Sequence, residues 1–265
     1  MSNSIALIGN GYLGKAYAKV FTEAVIYDEP KGLGTRKAVN NCDMAIVCVP
    51  TDPLPDGTLD MGIVEEVVKW LNTPLILIKS ALMPGTVDRL VKETGKKIAV
   101  SVEYIGMGNY YVDPTRYPDP LDPQKHKLMV VGGETATAEA CANILWAKMS
   151  PATRIHLVTA KEAEICKLIE NAYGALKVTF ANCLYSLSEK SDTSYIRTHQ
   201  AWSEDGRTDP MHTRVNPGNR GWKSHCYSKD IEALRTYAVG VGASDMAELF
   251  GAVIDINDGH LNGDN

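Results

Sequence analysis

Nowhere in its 265 residues does the chain carry a run of five or six like charges, and its 27 basic side chains are outnumbered by 32 acidic ones, a formal charge of −5. That balance excludes the concentrated positive field that nucleic acid or an anionic bilayer attracts, and leaves small molecules or proteins as the expected partners. Long hydrophobic runs are missing too. The best candidates, Met44 to Val49 and Leu75 to Ile78, are strand-sized, far below the roughly 18–20 residues that span a bilayer. The amino terminus, Met1-Ser2-Asn3-Ser4, carries neither a basic region nor a small-residue cleavage site, so the expected address is cytoplasmic. The six cysteines, Cys42, Cys48, Cys141, Cys166, Cys183 and Cys226, lack any CxxC spacing. A disulfide framework and a zinc site are therefore not expected, and most of these thiols read as small hydrophobes in apolar segments. Glycine and proline, 22 and 13 residues, are too few for a fibrous or disordered chain.

What is present in the first half is an alternation. Strand-like runs at Ile5–Ile8, Ala24–Asp28, Met44–Val49, Leu75–Ile78, Ile98–Val102 and Leu128–Val131 are separated by amphipathic segments at Leu13–Phe21, Gly62–Leu71 and Thr86–Thr94. Several of the runs are apolar at consecutive positions, as a parallel sheet covered on both faces requires. The expectation is an α/β fold, a Rossmann-type doubly wound and mostly parallel sheet. Between Tyr104 and Lys127 the prolines 114, 118, 120 and 123 predict a long ordered surface loop. A last short strand, Thr153–Val158, closes this domain, predicted as residues 1–158.

The second half, 159–265, is predicted to be all-helical. From Thr159 to Lys190 there is no proline and one glycine, Gly174, and apolar residues at 165, 168, 169, 172, 176, 180, 181 and 184 step by three and four. That is one long helix with a core-facing stripe. Ser191–Ser224 reads as polar loop, and Ser228–Val239 and Ala243–Ile256 as two further helices.

Gly9-Asn10-Gly11-Tyr12-Leu13-Gly14 fits GxGxxG directly after the first strand and at the start of a helix, with the acidic Asp28 closing the second strand 19 residues after Gly9. In that context the pattern is a dinucleotide fingerprint, whose acidic residue is expected about 20 residues on. Gly9 makes the tight turn, Gly11 lets backbone approach a pyrophosphate, Gly14 allows close helix–strand packing, and the helix start at Tyr12 and Leu13 offers amides to phosphate. Asp28 would accept from the adenosine ribose hydroxyls and repel a 2′-phosphate, so the expected cofactor is NAD. Val49-Pro50-Thr51 and Lys79-Ser80 end further strands, where α/β ligands bind. Glu103 ends another, readable as a solvated carboxylate or as a general base.

In the long helix Lys167 and Asn171, four residues apart, share a face: either solvated, or an amine and an amide held at a cleft. Cys226 stands at or just before a helix start after a glycine-bearing loop, a position that lowers a thiol's pKa and creates a nucleophile; a buried inert thiol is the other reading. Asp230 returns to the face of Cys226 one turn later. Arg207, Arg214, Arg220 and Lys223 lie in the loop just before it, and the planar fork of Arg suits the oxygens of a diphosphate.

Taken in order, GxGxxG with an acidic second strand, VPT, KS-x-x-x-PGT, S-x-E, AE-x-x-K-x-x-x-N-x-x-x-A-x-K, and a glycine loop followed by C-x-x-KD-x-x-AL resemble the UDP-glucose/GDP-mannose dehydrogenase family across Ile5–Asn257. The resemblance implies NAD-dependent oxidation of a sugar primary alcohol to the acid by way of a thioester. It makes Cys226 the catalytic thiol, Lys167 and Asn171 the polar pair at the reacting oxygen, Asp230 an orienter, and Glu103 the base for hydrolysis. It also implies a dimer paired through the long helix. Three departures stand against it: Ala81 replaces the family's Thr, Met107 replaces its second Glu, and the family's pattern continues into another doubly wound domain after the part matched here. The substrate pocket is thus expected to be incomplete or differently built. Two alternatives share the dinucleotide fingerprint: a two-electron hydroxy-acid dehydrogenase that needs no thiol, and an NAD-binding protein without turnover.

Overall fold

The structure, a computed structural model, describes residues 3–105 and 122–263. Two compact units emerge, one built from residues 1–54 and 59–167, the other from 55–58 and 168–265. The division falls inside the long helix.

The first unit is a seven-stranded sheet. Its strands are β1 (Ile5–Ile8), β2 (Val25–Tyr27), β3 (Met44–Val47), β4 (Leu75–Ile78), β5 (Ile98–Ser101), β6 (Leu128–Gly133) and β7 (Arg154–Val158), in the spatial order β2-β1-β3-β4-β5-β6-β7. All neighbours are parallel except β5 and β6. The consecutive apolar runs follow from two buried faces. Ala6, Ile8, Ala45, Val47, Ile76 and Ile78 pack on one side with Val64, Val68 and Leu90, while Leu7, Ile46, Leu77 and Val131 pack on the other with Tyr17, Cys141 and Leu145.

Helices α1 (Tyr12–Val20), α2 (Arg36–Asn40), α3 (Gly62–Trp70), α4 (Thr86–Thr94) and α5 (Thr135–Trp146) connect the strands. The sequence pattern anticipated α1, α3 and α4 but neither α2 nor α5. Both missed helices start on a side-chain cap, Thr35 accepting from the Ala38 amide and Glu134 from the Ala136 and Thr137 amides. The anticipated loop from Tyr104 to Lys127 lies mostly outside the described residues, as do Pro114, Pro118, Pro120 and Met107; Pro123 opens a short 3₁₀ turn ending at Lys125.

Helix α6 (Ala160–Lys190) is the predicted long helix, but Phe180, expected in its core-facing stripe, is exposed instead, lying seven residues from the exposed Tyr173 and Leu187. In the second unit it is joined by α7 (Tyr195–Ser203), α8 (His225–Val241) and α9 (Ser244–Asn262). The stretch 191–224 is thus not all loop: Ser194 caps α7 by accepting from the Arg197 amide. Helix α8 starts three residues before the expected Ser228. Gly174 of α6 has a steric reason, since a Cβ there would sit 2.6 Å from the Tyr227 hydroxyl. No helix among the described residues is long and apolar enough to cross a membrane.

One buried charge ties the start of α6 to the sheet unit. Glu164 is fully buried, and its carboxylate accepts from the amides of Gly85 (2.5 Å) and Val87 (2.8 Å) at the start of α4. Burial pushes this carboxyl up to about 7, against the opposing pull of the Val87 and Gly85 amides. Because the folded value lies above the ordinary 4.5, the group's contribution to stability is complete below that pH and is lost as pH rises through about 7. Glu164→Gln removes this dependence. Urea unfolding between about pH 5 and about pH 8 should therefore show the stability difference moving in favour of the Gln variant by roughly 2–3 kcal/mol. A difference that stays flat across the range would contradict the placement of this carboxyl.

Candidate active site

Strand order reverses at β1, whose neighbours are β2 and β3, and the fingerprint loop leaves the carboxyl end of that strand, as dinucleotide sites in doubly wound sheets require. The glycines sort by what a side chain would meet. A Cβ on Gly9, at φ +95°, would lie 2.4 Å from the Cys48 carbonyl oxygen, and one on Gly14 would lie 1.9 Å from that of Gly9. A Cβ on Gly11 would meet nothing within 4 Å. Gly9 and Gly14 are therefore demanded by packing, whereas Gly11 keeps open a space outside the loop. Gly11 is also the N-cap of α1 and makes no side-chain capping bond, which leaves the amides at Tyr12 and Leu13 suited to an anion. The residues fit a dinucleotide pyrophosphate.

Asp28 ends β2 almost buried. Its Oδ2 accepts from the Asn10 amide at 2.7 Å and from Lys31 Nζ at 3.0 Å, and its Oδ1 from the Lys31 amide at 3.2 Å. Burial alone would raise the carboxyl, but these donors and the Lys31 charge hold it below the ordinary range. Across the reversal point, Val49-Pro50-Thr51 follows β3, and the Ser80 hydroxyl after β4 donates to the Val49 carbonyl at 2.6 Å. Ser80 and Thr51 are buried, so the two strand ends are locked together.

Glu103 follows β5 and is not a solvated carboxylate. Its Oε1 accepts from the amides of Tyr104 (2.9 Å) and Ile105 (2.7 Å), and its Oε2 lies 3.1 Å from Lys79 Nζ. Both side chains are buried, at 10% and 3% exposure. The Lys79 ammonium donates to Ser101 Oγ at 3.2 Å and the Val102 carbonyl at 3.1 Å, and sits 4.9 Å from the Tyr17 ring centre. Its approach to Oε2 is an ion pair outside hydrogen-bonding angles, so that oxygen is left without a hydrogen-bond donor. A small cavity lined by Tyr17, Lys79, Ser101, Glu103 and His126 adjoins the pair. Lys79 was read from sequence only as a polar residue ending a strand beside Ser80 and was not counted among the site residues, because nothing in its spacing pairs it with Glu103.

In the second unit, Asn171 of α6 donates from Nδ2 to Asp230 Oδ2 of α8 at 2.6 Å, and Lys229 Nζ reaches Asp230 Oδ1 at 2.6 Å. Asp230 is 1% exposed. Cys226 is the second residue of α8, after the N-cap Ser224, and is partly exposed. By contrast Cys48 and Cys141 are buried, and burial pushes each thiol up to about 12. Lys167, on the face of Asn171 one helical turn earlier, is the last residue of the first unit. Lys229 was the second missed residue, legible only as the neighbour of Asp230.

The arginines divide. The Arg220 guanidinium donates to Asn182 Oδ1 at 3.2 Å, to the Asn182 carbonyl at 2.8 Å and to Ser186 Oγ at 2.6 Å, and lies over the Tyr185 ring. It is committed to α6. Arg207 is paired with Asp205 in the loop, and Arg214 is exposed. Among the described residues no group of three or more His, Cys, Asp or Glu could hold a metal.

Residues 161–259 match the profile of the UDP-glucose/GDP-mannose dehydrogenase family, central domain. The chain is 25% identical over 233 residues to UDP-glucose 6-dehydrogenase of Haloferax volcanii, a match covering 82% of this chain and 52% of that protein. It is 25% identical over 213 residues to GDP-mannose 6-dehydrogenase of Pseudomonas aeruginosa, covering 75% of this chain and 47% of that one. Among solved structures, a UDP-glucose dehydrogenase from Pyrobaculum islandicum superimposes with a TM-score of 0.78 at 23% identity, over 97% of this chain and 68% of that one. The chain spans about half the length of the relatives it matches in sequence.

Removing one partner of a buried ion pair leaves the other charge uncompensated. Lys79→Met should therefore cost about 3–5 kcal/mol in urea unfolding, and adding Glu103→Gln should restore about half of that. A single variant as stable as the parent would show that the pair is not buried as described.

Proposed function

The chain belongs to the UDP-glucose/GDP-mannose dehydrogenase family, and from that premise we propose that it oxidises the primary alcohol of a nucleotide sugar, such as UDP-glucose, to the carboxylate with NAD. The observation that carries this reading is the seam between α6 and α8. Cys226 opens α8, and one turn later Asp230 holds the Asn171 amide at 2.6 Å. A two-electron alcohol oxidation gives such a thiol no task.

Gly11, Tyr12 and Leu13 would take the pyrophosphate and Asp28 the adenosine ribose, with Val49, Pro50, Thr51 and Ser80 along the other strand ends. When bound, NAD supplies the hydride acceptor. The Cys226 thiolate adds to the aldehyde carbon to give a thiohemiacetal, which keeps the carbon bound while a second hydride leaves and a thioester remains. Water then breaks the carbon–sulfur bond, releasing acid and thiol, with Glu103 the base that the family resemblance assigns to this step. The Asn171 amide has one N–H on Asp230, which fixes its orientation and leaves its second N–H for the oxyanion, beside the Lys167 ammonium. Lys229 completes the balance of charge around Asp230.

For the nucleotide, Arg214 is the better diphosphate candidate, because Arg220 is held along α6. Tyr173, Phe180 and Leu187, each more than half exposed and seven residues apart on α6, form a stripe that a second copy of the chain would cover, giving a homodimer. The working site is the cytoplasm, and the product a nucleotide uronate for polysaccharide synthesis.

Cys226→Ser should abolish acid formation while leaving NAD affinity by calorimetry unchanged. Arg214→Ala should weaken nucleotide-sugar binding about tenfold through the lost charge-assisted bonds, again without effect on NAD. Unaltered acid production by the Cys226 variant would refute the thioester route.

A further inference from the structure

Among the described residues only two that are not glycine have a left-handed backbone, Asp192 at φ +53° and His212 at φ +67°. Asp192 follows the end of α6 at Lys190, where helices commonly finish in this conformation. His212 lies inside a turn instead. The Thr213 amide donates to the Pro210 carbonyl at 3.2 Å, which makes residues 210–213 a four-residue turn with His212 third, and Met211 before it is not left-handed. That is the type II pattern, whose third position suits glycine or asparagine. An imidazole therefore stands where glycine would be held at lower cost.

The turn does not need that imidazole. The Thr213 hydroxyl donates to the Pro210 carbonyl at 2.6 Å and meets His199 Nε2 at 2.8 Å, and the Thr213 carbonyl accepts from the Tyr195 hydroxyl. Just before the turn, Asp209 pairs with Lys177 of α6 at 3.1 Å. None of these bonds uses the side chain of His212, so glycine there would leave all of them in place.

What the imidazole touches is Tyr227. The Tyr227 hydroxyl lies 3.4 Å from each ring nitrogen, and the two rings meet edge to face with centres 6.0 Å apart. Burial and the Lys177 charge hold His212 below the usual imidazole range, against the opposing pull of Asp209. A neutral imidazole keeps one bare nitrogen, and because both nitrogens are equidistant, either tautomer offers the hydroxyl an acceptor. The same hydroxyl fills the space beside Gly174 of α6, and the indole of Trp222 packs edge-on to the ring at 6.4 Å. Tyr227 directly follows Cys226 in the first turn of α8.

We infer that His212 is a positioning residue for the thiol: its imidazole fixes the Tyr227 ring, and with it the first turn of α8 that carries Cys226, and the strained turn is kept for that purpose. The inference rests on reading Cys226 as the nucleophile.

The test compares the parent chain with His212→Gly, Tyr227→Phe and the double variant. Three quantities are measured: the urea midpoint, the rate at which iodoacetamide alkylates Cys226, resolved by peptide mass, and acid formation from UDP-glucose with NAD. His212→Gly should be at least as stable as the parent, because glycine relieves the turn. It should nonetheless be alkylated about fivefold faster at Cys226 as the first turn of α8 loosens, and lose about fivefold in kcat with KM for UDP-glucose unchanged, the scale of one lost hydrogen bond. Tyr227→Phe should reproduce both shifts, and the double variant should add nothing to them. A His212→Gly chain less stable than the parent would make the imidazole a structural prop. Alkylation of Cys226 at the parental rate, or shifts that add in the double variant, would detach His212 from the thiol. Each of these results overturns the inference. Alkylation needs no turnover, so a parent that forms no acid would sink the thioester reading while the alkylation rates still decide the role of His212.

Discussion

A helix of 31 residues that carries polar side chains on its buried face is stable only if each of them is bonded, because an unmet donor or acceptor in the interior costs about as much as a whole hydrogen bond contributes. In α6 these groups are met one after another. Glu164 takes two amides from the start of α4, Asn171 donates to Asp230, Thr179 accepts from the indole of Trp222 at 2.9 Å, and Asn182 takes the Arg220 guanidinium. Each bond fixes the rotation of the helix about its axis. Lys167 and Asn171 share a face by their four-residue spacing, and Tyr173, Phe180 and Leu187 are left exposed.

The same constraint explains why the loop before Cys226 has the composition it has. Trp222 donates its amide to Asn257 Oδ1 at 2.8 Å and receives the Asn257 amide on its carbonyl at 3.2 Å. Gly221, at φ +76°, must lack a side chain because a Cβ there would approach Asn257 Oδ1 to 2.8 Å. The chain therefore enters α8 held on both sides, by Thr179 of α6 and Asn257 of α9. The thiol at the second position of α8 is placed by packing rather than by a flexible loop, which is what a nucleophile that must hold a reacting carbon requires.

Local signals made most of this legible. Six apolar runs and a glycine fingerprint are period and punctuation, and they located β1, β3, β4, the Gly9–Gly14 loop and α6 closely. Helix α5 escaped because Thr135-Ala136-Thr137-Ala138 shows no strong apolar stripe, its stability coming from the Glu134 cap and burial against the sheet. Helix α7 escaped because it lies in a polar stretch and is held by Tyr195, whose hydroxyl reaches the Thr213 carbonyl from 18 residues away. The pairings were hidden for the same reason. Nothing in the spacing of Lys79 and Glu103 says that they meet, and Arg220 looked like a phosphate ligand until its three bonds to α6 were seen.

What distinguishes the proposed four-electron oxidation from a simpler alcohol dehydrogenation is the number of hydrides taken from one carbon. The most direct measurement is the yield of NADH from a limiting amount of UDP-glucose or GDP-mannose in the presence of excess NAD, with the product identified by mass. The thioester account requires two NADH for each sugar and a carboxylate product. One NADH for each sugar, with the aldehyde as the end product, would contradict it.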